Sequence, residues 1–458
     1  MATSISSVTK SIETLKTPQI LKLGLQSTWV MSILLMILSI AGVQTQRQAV
    51  QTIGKDSAPS ILNAQRINDS LADLDANVAN ELIAKPGKNP AAVKVYGERQ
   101  KKLAMLLVTA AENITYGDAE RKRIETLQLE LGNYMMMVQK ARDHHQRGDA
   151  TAMLAAYRLS ADLIDKTLLP TAAELDEVNW RELEPIYAQQ QKNGIGSIGL
   201  ILLSGAGLVG VLVSLQLFLN VRMRRTLNPF LLLATILAVG AVVDTTRIFL
   251  STGHHLKVAK EDAFTSLHSL RKGRAIAYIA NAAESRYLLD KAFTNTHEQA
   301  FFKHVDLIAK LPSGMTYDRL LSAVQSGQLP SEFTGFMADE LRNITFPGER
   351  EAAVKTLDTF VRYVAIDTQI RQLEKSGQHQ AAVALCIGTN PGQSNWAFEE
   401  FKKAHSQTME INKAEFERSI QASFNDLNGF EVKMPVLMGA IALFTFLGLR
   451  PRMREYLL

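Results

Sequence analysis

The sequence predicts an all-α integral membrane protein with four transmembrane helices and two extracytoplasmic up-down helical bundles related by internal duplication. Three observations predict this fold: four long apolar runs, two long polar stretches of helix-forming residues between them, and residue matches that recur at a near-constant offset. Of the 458 residues, 47% are apolar and 21% are charged. These proportions are ordinary for a soluble protein, so the segregation of the residues along the chain is what indicates a membrane.

The four apolar runs predict transmembrane helices at 23–44, 194–219, 229–250 and 434–449. A helix needs roughly 20 apolar residues to cross a bilayer. The fourth run is shorter, so we expect Lys433 to extend its ammonium group toward the headgroups. A cleaved signal peptide is the alternative for the first run, but its apolar core exceeds the usual length of about 7–15 residues.

Basic residues beside these runs predict the orientation of the chain. They lie in an N-terminal tail at 1–22, a turn at 220–228 and a C-terminal tail at 450–458, all on one side of a four-span protein. The turn and the C-terminal tail carry Arg222, Arg224, Arg225, Arg450, Arg452 and Arg454. The positive-inside rule makes that side cytoplasmic. We therefore expect a multi-pass protein of the inner (plasma) membrane with both termini inside, and these arginines are candidate contacts for a cytoplasmic partner.

The remaining segments, 45–193 and 251–433, predict two helical bundles, A and B, outside the membrane. Gly and Pro residues divide the first segment into four helices, and an even number of helices returns the chain to the membrane. Pro170 should kink or break the fourth helix, because it lacks a backbone N–H. The second segment has more breaks and predicts an elaborated bundle with extra short helices.

Residue matches between the two segments predict that one arose by duplication of the other. Arg66 recurs as Arg271 at an offset of 205, and Asn113 recurs as Asn343 at an offset of 230. The common order of such matches favours duplication over chance. Because the offset grows along the chain, the second copy should carry an insertion at about 290–342.

One helix of bundle B has polar residues where a core-facing seam should be apolar. Arg271, Arg274, Tyr278, Asn281 and Ser285 alternate at spacings of three and four residues, which places them on one face. Buried arginines need carboxylate partners, which another helix or a ligand can supply. A guanidinium group suits a small carboxylate-bearing molecule. The five residues are therefore the candidate ligand-binding residues.

The commoner arrangement for such a stripe is a face in contact with water. The core would then follow Ile276, Ile279, Ala280, Ala283 and Tyr287. In the first copy, the equivalent face carries Arg66, Asp69, Asp73 and Asn80. The two faces differ chemically, so at most one of them should bind an anionic ligand in this way.

Within the second span, Ala206, Gly210 and Ser214 repeat every four residues. Small residues at this spacing allow close approach between membrane helices. We favour an interface inside one chain, and a homodimer interface is the alternative.

No sequence motif points to catalysis. The chain has neither a phosphate-binding loop nor a zinc-protease motif nor a serine nucleophile elbow. A lone cysteine, Cys386, excludes an intramolecular disulfide and is best read as a packed residue. The net charge of +5 is explained by topology rather than by nucleic acid. We expect a protein that is not an enzyme and has no cofactor and no metal site.

Two resemblances suggest a function. The span–bundle–span layout, with Gly148, Asp149 and Ala150 before a long helix, resembles the sensor part of methyl-accepting chemoreceptors. The duplicated layout, together with the segments 273–278 (GRAIAY) and 284–290 (ESRYLLD), resembles an actinobacterial membrane sensor that works with a glutamine-type solute-binding lipoprotein and a soluble Ser/Thr kinase. That resemblance implies sensing of acidic or amide amino acids. The expected partners are membrane lipid, an extracytoplasmic solute-binding protein and a cytoplasmic kinase, and the alternative function is a structural membrane scaffold or accessory subunit without a ligand.

Overall fold

The structure, a computed structural model, describes residues 16–223 and 227–455. Within these ranges the fold is all-helical without β-strands, apart from one isolated bridge between Lys310 and Thr334. The α-helices are α1 (Thr17–Gln51), α2 (Ala58–Ile83), α3 (Pro90–Glu112), α4 (Asp118–Gln146), α5 (Ala150–Leu163), α6 (Leu169–Met223), α7 (Pro229–Lys257), α8 (Thr265–Leu289), α9 (Thr294–Ala309), α10 (Tyr317–Gln325), α11 (Phe336–Arg342), α12 (Glu349–Lys375), α13 (His379–Ile387), α14 (Ser394–Leu427) and α15 (Phe430–Arg454). Three π-helical segments, Thr52–Ser57, Ile164–Leu168 and Val258–Phe264, and a 3-10 turn at Lys291–Phe293 lie between helices.

The chain forms two compact units. The membrane unit contains the described residues up to Thr52, the segment Pro185–Leu256 and the residues from Ser419 onward. The bundle unit contains Ile53–Glu184 and Lys257–Arg418. Four helical runs in the described chain, within Thr17–Ile83, Ala150–Arg222, Pro229–Leu289 and Ser394–Arg454, are long and apolar enough to cross a membrane. This finding confirms the four predicted membrane-capable helices.

Polar contacts join helices of the membrane unit. Lys433, which we expected to reach the headgroups, forms an ion pair with Asp244 at 2.6 Å. The side-chain oxygen of Asn228 accepts a hydrogen bond from the backbone N–H of Phe230 at 3.1 Å. The amide of Asn228 donates to the carbonyl of Gly448 at 2.7 Å. Asn228 therefore caps the start of the third span and also joins that span to the fourth.

The prediction that Ala206, Gly210 and Ser214 pack inside the chain is wrong. All three are exposed, and a side chain added at Gly210 would meet no atom within 4 Å. The face that packs inside the unit contains Gly205 instead, where an added Cβ would clash with Val242. The neighbouring helices determine which side of α6 is buried. The spacing of small residues along α6 does not show which side those helices cover.

Two hydrophobic cores stabilise the bundle unit. The first is built by α2–α6 around residues such as Ile67, Leu131 and Tyr134. The second is built by α8–α14 around residues such as Phe301 and Phe360. Three short helices, α9–α11, lie within 290–342, where extra helices were predicted. Helices α2 and α8 pack along each other, so both cores belong to one compact unit.

Pro170 lies at the second position of α6, directly after the π-helical segment Ile164–Leu168. A proline has no N–H for the regular hydrogen-bond ladder, and a π-helical turn is a usual local response. The predicted disruption at Pro170 therefore occurs as a π-helical segment within a long helical run.

Candidate functional site

The polar stripe lies on α8, which is covered on nearly all sides. Tyr278, Asn281 and Ser285 are at most 4% exposed, and Arg271 is 9% exposed. The opposite side of α8, including Ile276 and Ile279, packs against the second core. The interpretation that the stripe faces water is therefore wrong. The physical reason is that α2 covers the stripe side of α8, while the other helices of the second half cover the remaining sides.

A cavity of about 430 Å³ lies beside the stripe in the bundle unit. Four helices line it: α2 and α3 from the first half of the sequence, and α8 and α14 from the second. The lining residues are Arg66, Asp69, Ser70, Arg99, Lys102, Met105, Leu106, Arg271, Arg274, Tyr278, Ser406, Met409 and Glu410. Its volume lies within the usual range for small-molecule sites, roughly 300–1,000 Å³. Three of the five predicted site residues, Arg271, Arg274 and Tyr278, are brought together here.

Arg271 has a carboxylate partner from the other half of the chain. Its Nη1 lies 3.6 Å from Oδ2 of Asp69 on α2. Three buried polar atoms at this pair have no hydrogen-bond partner among the described residues. They are Nε of Arg271, Oδ1 of Asp69 and Oγ of Ser70, the residue next to Asp69. Burial raises the pKa of Asp69, while the charges of Arg274 and Arg271 oppose that rise. Buried polar atoms of this kind ordinarily find a partner, which a bound ligand or water can supply.

Arg274 makes two contacts, and neither is with a carboxylate. It forms no ion pair among the described residues. Its Nη1 donates to the hydroxyl of Ser406 at 2.9 Å, and its guanidinium lies 5.9 Å from the ring centroid of Tyr278. Tyr278 in turn packs edge-on against Phe398 at 5.5 Å. These contacts hold the guanidinium in place beside the cavity, where it is available to an anion.

Helix α3 adds two cations to the cavity wall. Arg99 forms an ion pair with Asp73 of α2. Lys102 forms no ion pair within the described residues, and burial followed by the charge of Arg99 lowers its pKa. Arg66 of α2 likewise has no ion pair in the described part of the chain. Positive side chains therefore outnumber negative ones in the cavity wall.

Asn281 and Ser285 do not line the cavity. They lie farther along α8, where Ser285 donates to Oδ1 of Asn80 at 2.6 Å and Asn281 donates to Glu284 at 3.3 Å. Burial raises the pKa of Glu284 to about 8. These two predicted ligand-binding residues therefore have structural partners, because the seam continues past the cavity into close packing against α2.

A second group of buried charges was missed by the sequence reasoning. Arg286 on α8 contacts Asp75 and Asp165, both at 2.6 Å, and the hydroxyl of Tyr157 at 3.0 Å. All three partners come from the first half of the sequence. Arg286 lies off the polar stripe, so the periodicity gave no reason to select it. Of the other cations in the cavity wall, the sequence analysis named Arg66, on the equivalent face of the first copy. Nothing in the sequence distinguishes Arg99 and Lys102 as site residues, because charged residues on a helix ordinarily face water.

Four of the arginines predicted to mark the cytoplasmic side, Arg222, Arg450, Arg452 and Arg454, lie near helix ends of the membrane unit. Arg222, Arg450 and Arg454 are exposed, and Arg452 forms an ion pair with Glu455. Arg224 and Arg225 lie outside the described residues. The described arginines thus offer positive charge at the surface, and their role in topology or partner binding stays a prediction.

Residues 49–188 match the family model described as an actinobacterial sensor domain. No curated protein and no solved structure shows significant similarity to the chain. The matched segment contains Arg66, Asp69, Arg99 and Lys102 of the cavity wall. It ends before α8 and α14, so the similarity covers only the first-half wall of the cavity. The match supports a sensor role for a protein with four membrane-capable helices.

Proposed function

We propose that the protein is a transmembrane sensor that binds a small carboxylate-bearing ligand, such as an amino acid, in the cavity between α2, α3, α8 and α14. One observation carries the proposal: five cationic side chains line the cavity and only two carboxylates accompany them. Desolvating a charge in an empty cavity costs several kcal/mol, and an anionic ligand removes that cost. Guanidinium groups suit a carboxylate because they offer paired N–H donors in a fixed geometry.

The proposal includes an origin of the two halves by duplication, which repeated hydrogen bonds support. A buried glutamate at the start of α4 accepts hydrogen bonds from two backbone N–H groups of the preceding loop, and a buried glutamate at the start of α12 does the same. The residues are Glu120 with Thr115 and Tyr116, and Glu349 with Thr345 and Phe346. The preceding asparagines, Asn113 and Asn343, donate to Ser60 of α2 and Ser266 of α8. Two independently evolved bundles would have no reason to share this arrangement.

The proposed relay uses the connectivity of the cavity helices. Along the chain, α2 follows α1 through the π-helical segment Thr52–Ser57, and α8 follows α7 through Val258–Phe264. Helix α14 is followed directly by α15. A ligand that contacts α2, α8 and α14 therefore acts on three helices that lead along the chain to membrane-capable helices. Shifts of about 1–2 Å along or around such helices are a common way to transmit a signal, and π-helical turns often mark places where a helix adjusts.

Further parts of the proposal concern location and partners. The bundle unit lies outside the plasma membrane, and both termini lie in the cytoplasm. A solute-binding protein delivers the ligand or docks on the bundle unit in its loaded form, and a Ser/Thr kinase or another output protein receives the signal inside. The exposed Ala206, Gly210 and Ser214 face forms a homodimer contact, because small residues at this spacing permit close approach of a second copy.

Thermal unfolding of the full-length protein in detergent tests the proposal. A panel of amino acids, including glutamate, aspartate, glutamine and asparagine, is compared with simple monocarboxylates and dicarboxylates. A ligand at 100 times its dissociation constant should stabilise the folded protein by about 2.7 kcal/mol. Arg274→Leu should abolish this stabilisation and leave the unliganded protein as stable or more stable, because it removes an unpaired buried charge.

The exposed Arg362, whose ion-pair partner among the described residues is Asp358 one turn away, provides the matched control. Arg362→Leu should retain the ligand-induced stabilisation. If no member of the panel stabilises the wild-type protein, the sensor proposal fails and a structural scaffold becomes the better account. If Arg274→Leu keeps the full stabilisation, the ligand binds elsewhere.

A further inference from the structure

We infer that the ligand of this cavity is a small dicarboxylate that carries no ammonium group. This inference rests on the proposed function, since it concerns the same cavity, but it narrows the ligand class. It follows from the balance of charges in the wall, from the surroundings of the one buried carboxylate, and from the distribution of the cations over separate helices.

The charge balance calls for a ligand with two negative charges. The cations of the wall are Arg66, Arg99, Lys102, Arg271 and Arg274, and its carboxylates are Asp69 and Glu410. Asp73, which does not line the cavity, neutralises Arg99 through its ion pair. Glu410 pairs with Lys413 outside the wall at 3.7 Å, so only Asp69 remains to offset Arg66, Lys102, Arg271 and Arg274. Three positive charges are left, and a dianion offsets more of them than a molecule with one net negative charge, such as glutamate or aspartate with its ammonium group.

The cavity also lacks a suitable place for an ammonium group. Asp69 is the only buried carboxylate in the wall, and its Oδ2 already lies 3.6 Å from Arg271. Arg274, Lys102 and Arg99 also act electrostatically on this carboxyl group. An ammonium group that approached the free Oδ1 would therefore meet the repulsion of four cations. Glu410 is exposed, so it would bind an ammonium group only weakly.

The distribution of the cations favours two separated carboxylates over one compact anion. Arg66 projects from α2, Lys102 from α3 and Arg274 from α8. The volume of about 430 Å³ is much larger than a single tetrahedral anion. Two carboxylates joined by a short carbon chain could bind cations on different helices, and the apolar side chains of Met105 and Met409 also line the cavity.

Pairs of molecules that differ only in the ammonium group test the inference. Binding of succinate and aspartate, and of glutarate and glutamate, is measured by calorimetry on the full-length protein in detergent at constant ionic strength. We expect each dicarboxylate to bind at least tenfold more tightly than the amino acid of the same length. Equal or tighter binding of the amino acids would overturn the inference while leaving the proposed sensor function intact. Equally tight binding of inorganic phosphate or sulfate would also overturn it.

The variant Asp69→Asn provides a second test that distinguishes dicarboxylates from amino acids. It removes a negative charge from the wall, so dicarboxylate binding should be retained or strengthened. A ligand that places its ammonium group on Asp69 would instead bind at least tenfold more weakly to this variant, and that result would overturn the inference. If Asp69→Asn does not fold, the comparison of the matched pairs on the wild-type protein still decides. Failure of every probe to bind would reject the proposed function itself rather than the choice of ligand class.

Discussion

Arg286 and Asp75 form a buried ion pair between α8 and α2, with Nη2 of the arginine 2.6 Å from Oδ2 of the aspartate. The residues come from the two halves of the sequence, and the arginine side chain is also bound by Asp165 and the Tyr157 hydroxyl. Burial raises the pKa of Asp75, whereas the charge of Arg286 opposes that rise. The aspartate therefore depends on the arginine to remain charged in the interior.

We predict that Arg286→Met destabilises the protein by about 3–5 kcal/mol, because it leaves the charge of Asp75 buried without its partner. The measurement is the free energy of unfolding in denaturant. The double variant Arg286→Met with Asp75→Asn should recover a large part of the loss, since it removes the stranded charge. Arg362→Met, which breaks only an exposed pair within one helix, should change the free energy by less than about 0.5 kcal/mol. A cost for Arg286→Met no larger than this control would contradict the account.

A second prediction concerns Glu340 on α11, which is 6% exposed. Burial, the charge of Glu349 and a hydrogen bond to that residue raise the pKa of Glu340 to about 8. A carboxyl group with a raised pKa favours the folded state while it is protonated. Its contribution is complete below the unfolded pKa of 4.5 and is lost as the pH rises toward 8.

Glu340→Gln should therefore be about as stable as the wild-type protein at pH 5, and more stable by about 4 kcal/mol at pH 9. Burial also raises the pKa of Glu284 to about 8 and that of Asp367 to about 6, so the wild-type profile reflects several groups. The difference in the free energy of unfolding between Glu340→Gln and the wild-type protein isolates the contribution of Glu340. The neighbouring Asp339 is exposed, and Asp339→Asn should follow the wild-type profile. An unchanged difference between pH 5 and pH 9 for Glu340→Gln would be inconsistent with its raised pKa.

The sequence alone predicted the helical fold and the membrane-capable helices, because both depend on composition and periodicity within one segment. It also selected Arg271, Arg274 and Tyr278. It could not decide whether these residues were buried, since their periodicity describes one helix and does not identify the helix that covers it. Asp69 lies about two hundred positions away from Arg271, and only the packing of α2 on α8 makes them neighbours.

The errors have the same physical origin. Asn281 and Ser285 share the seam of Arg271, but the cavity ends before them and α2 packs closely there. Lys102 lies in a helix with many charged residues, and only the fold distinguishes it from its exposed neighbour Lys101. Long-range placement was therefore the part of the site that local patterns could not supply.

The predicted topology can be tested by labelling single cysteines with a membrane-impermeant thiol reagent in intact cells. Cysteines at Gln100 and Gln328 should react, because both positions are exposed in the bundle unit. A cysteine at Asn220, the first residue of the predicted cytoplasmic turn, should react only after the cells are permeabilised. The native Cys386 is 1% exposed and should contribute little background. Labelling of the Asn220 position in intact cells would contradict the proposed orientation.

The most direct test of the central claim, that the ligand binds in this cavity of the bundle unit, compares two neighbouring lysines. Lys102 lines the cavity, whereas Lys101 is exposed and does not. The measurement is the rise in unfolding temperature caused by whichever of succinate, glutarate, aspartate and glutamate stabilises the wild-type protein most. The account predicts that Lys102→Met loses most of this rise and that Lys101→Met retains it. Retention of the full rise in Lys102→Met, equal losses in both variants, or no rise in the wild-type protein would contradict it.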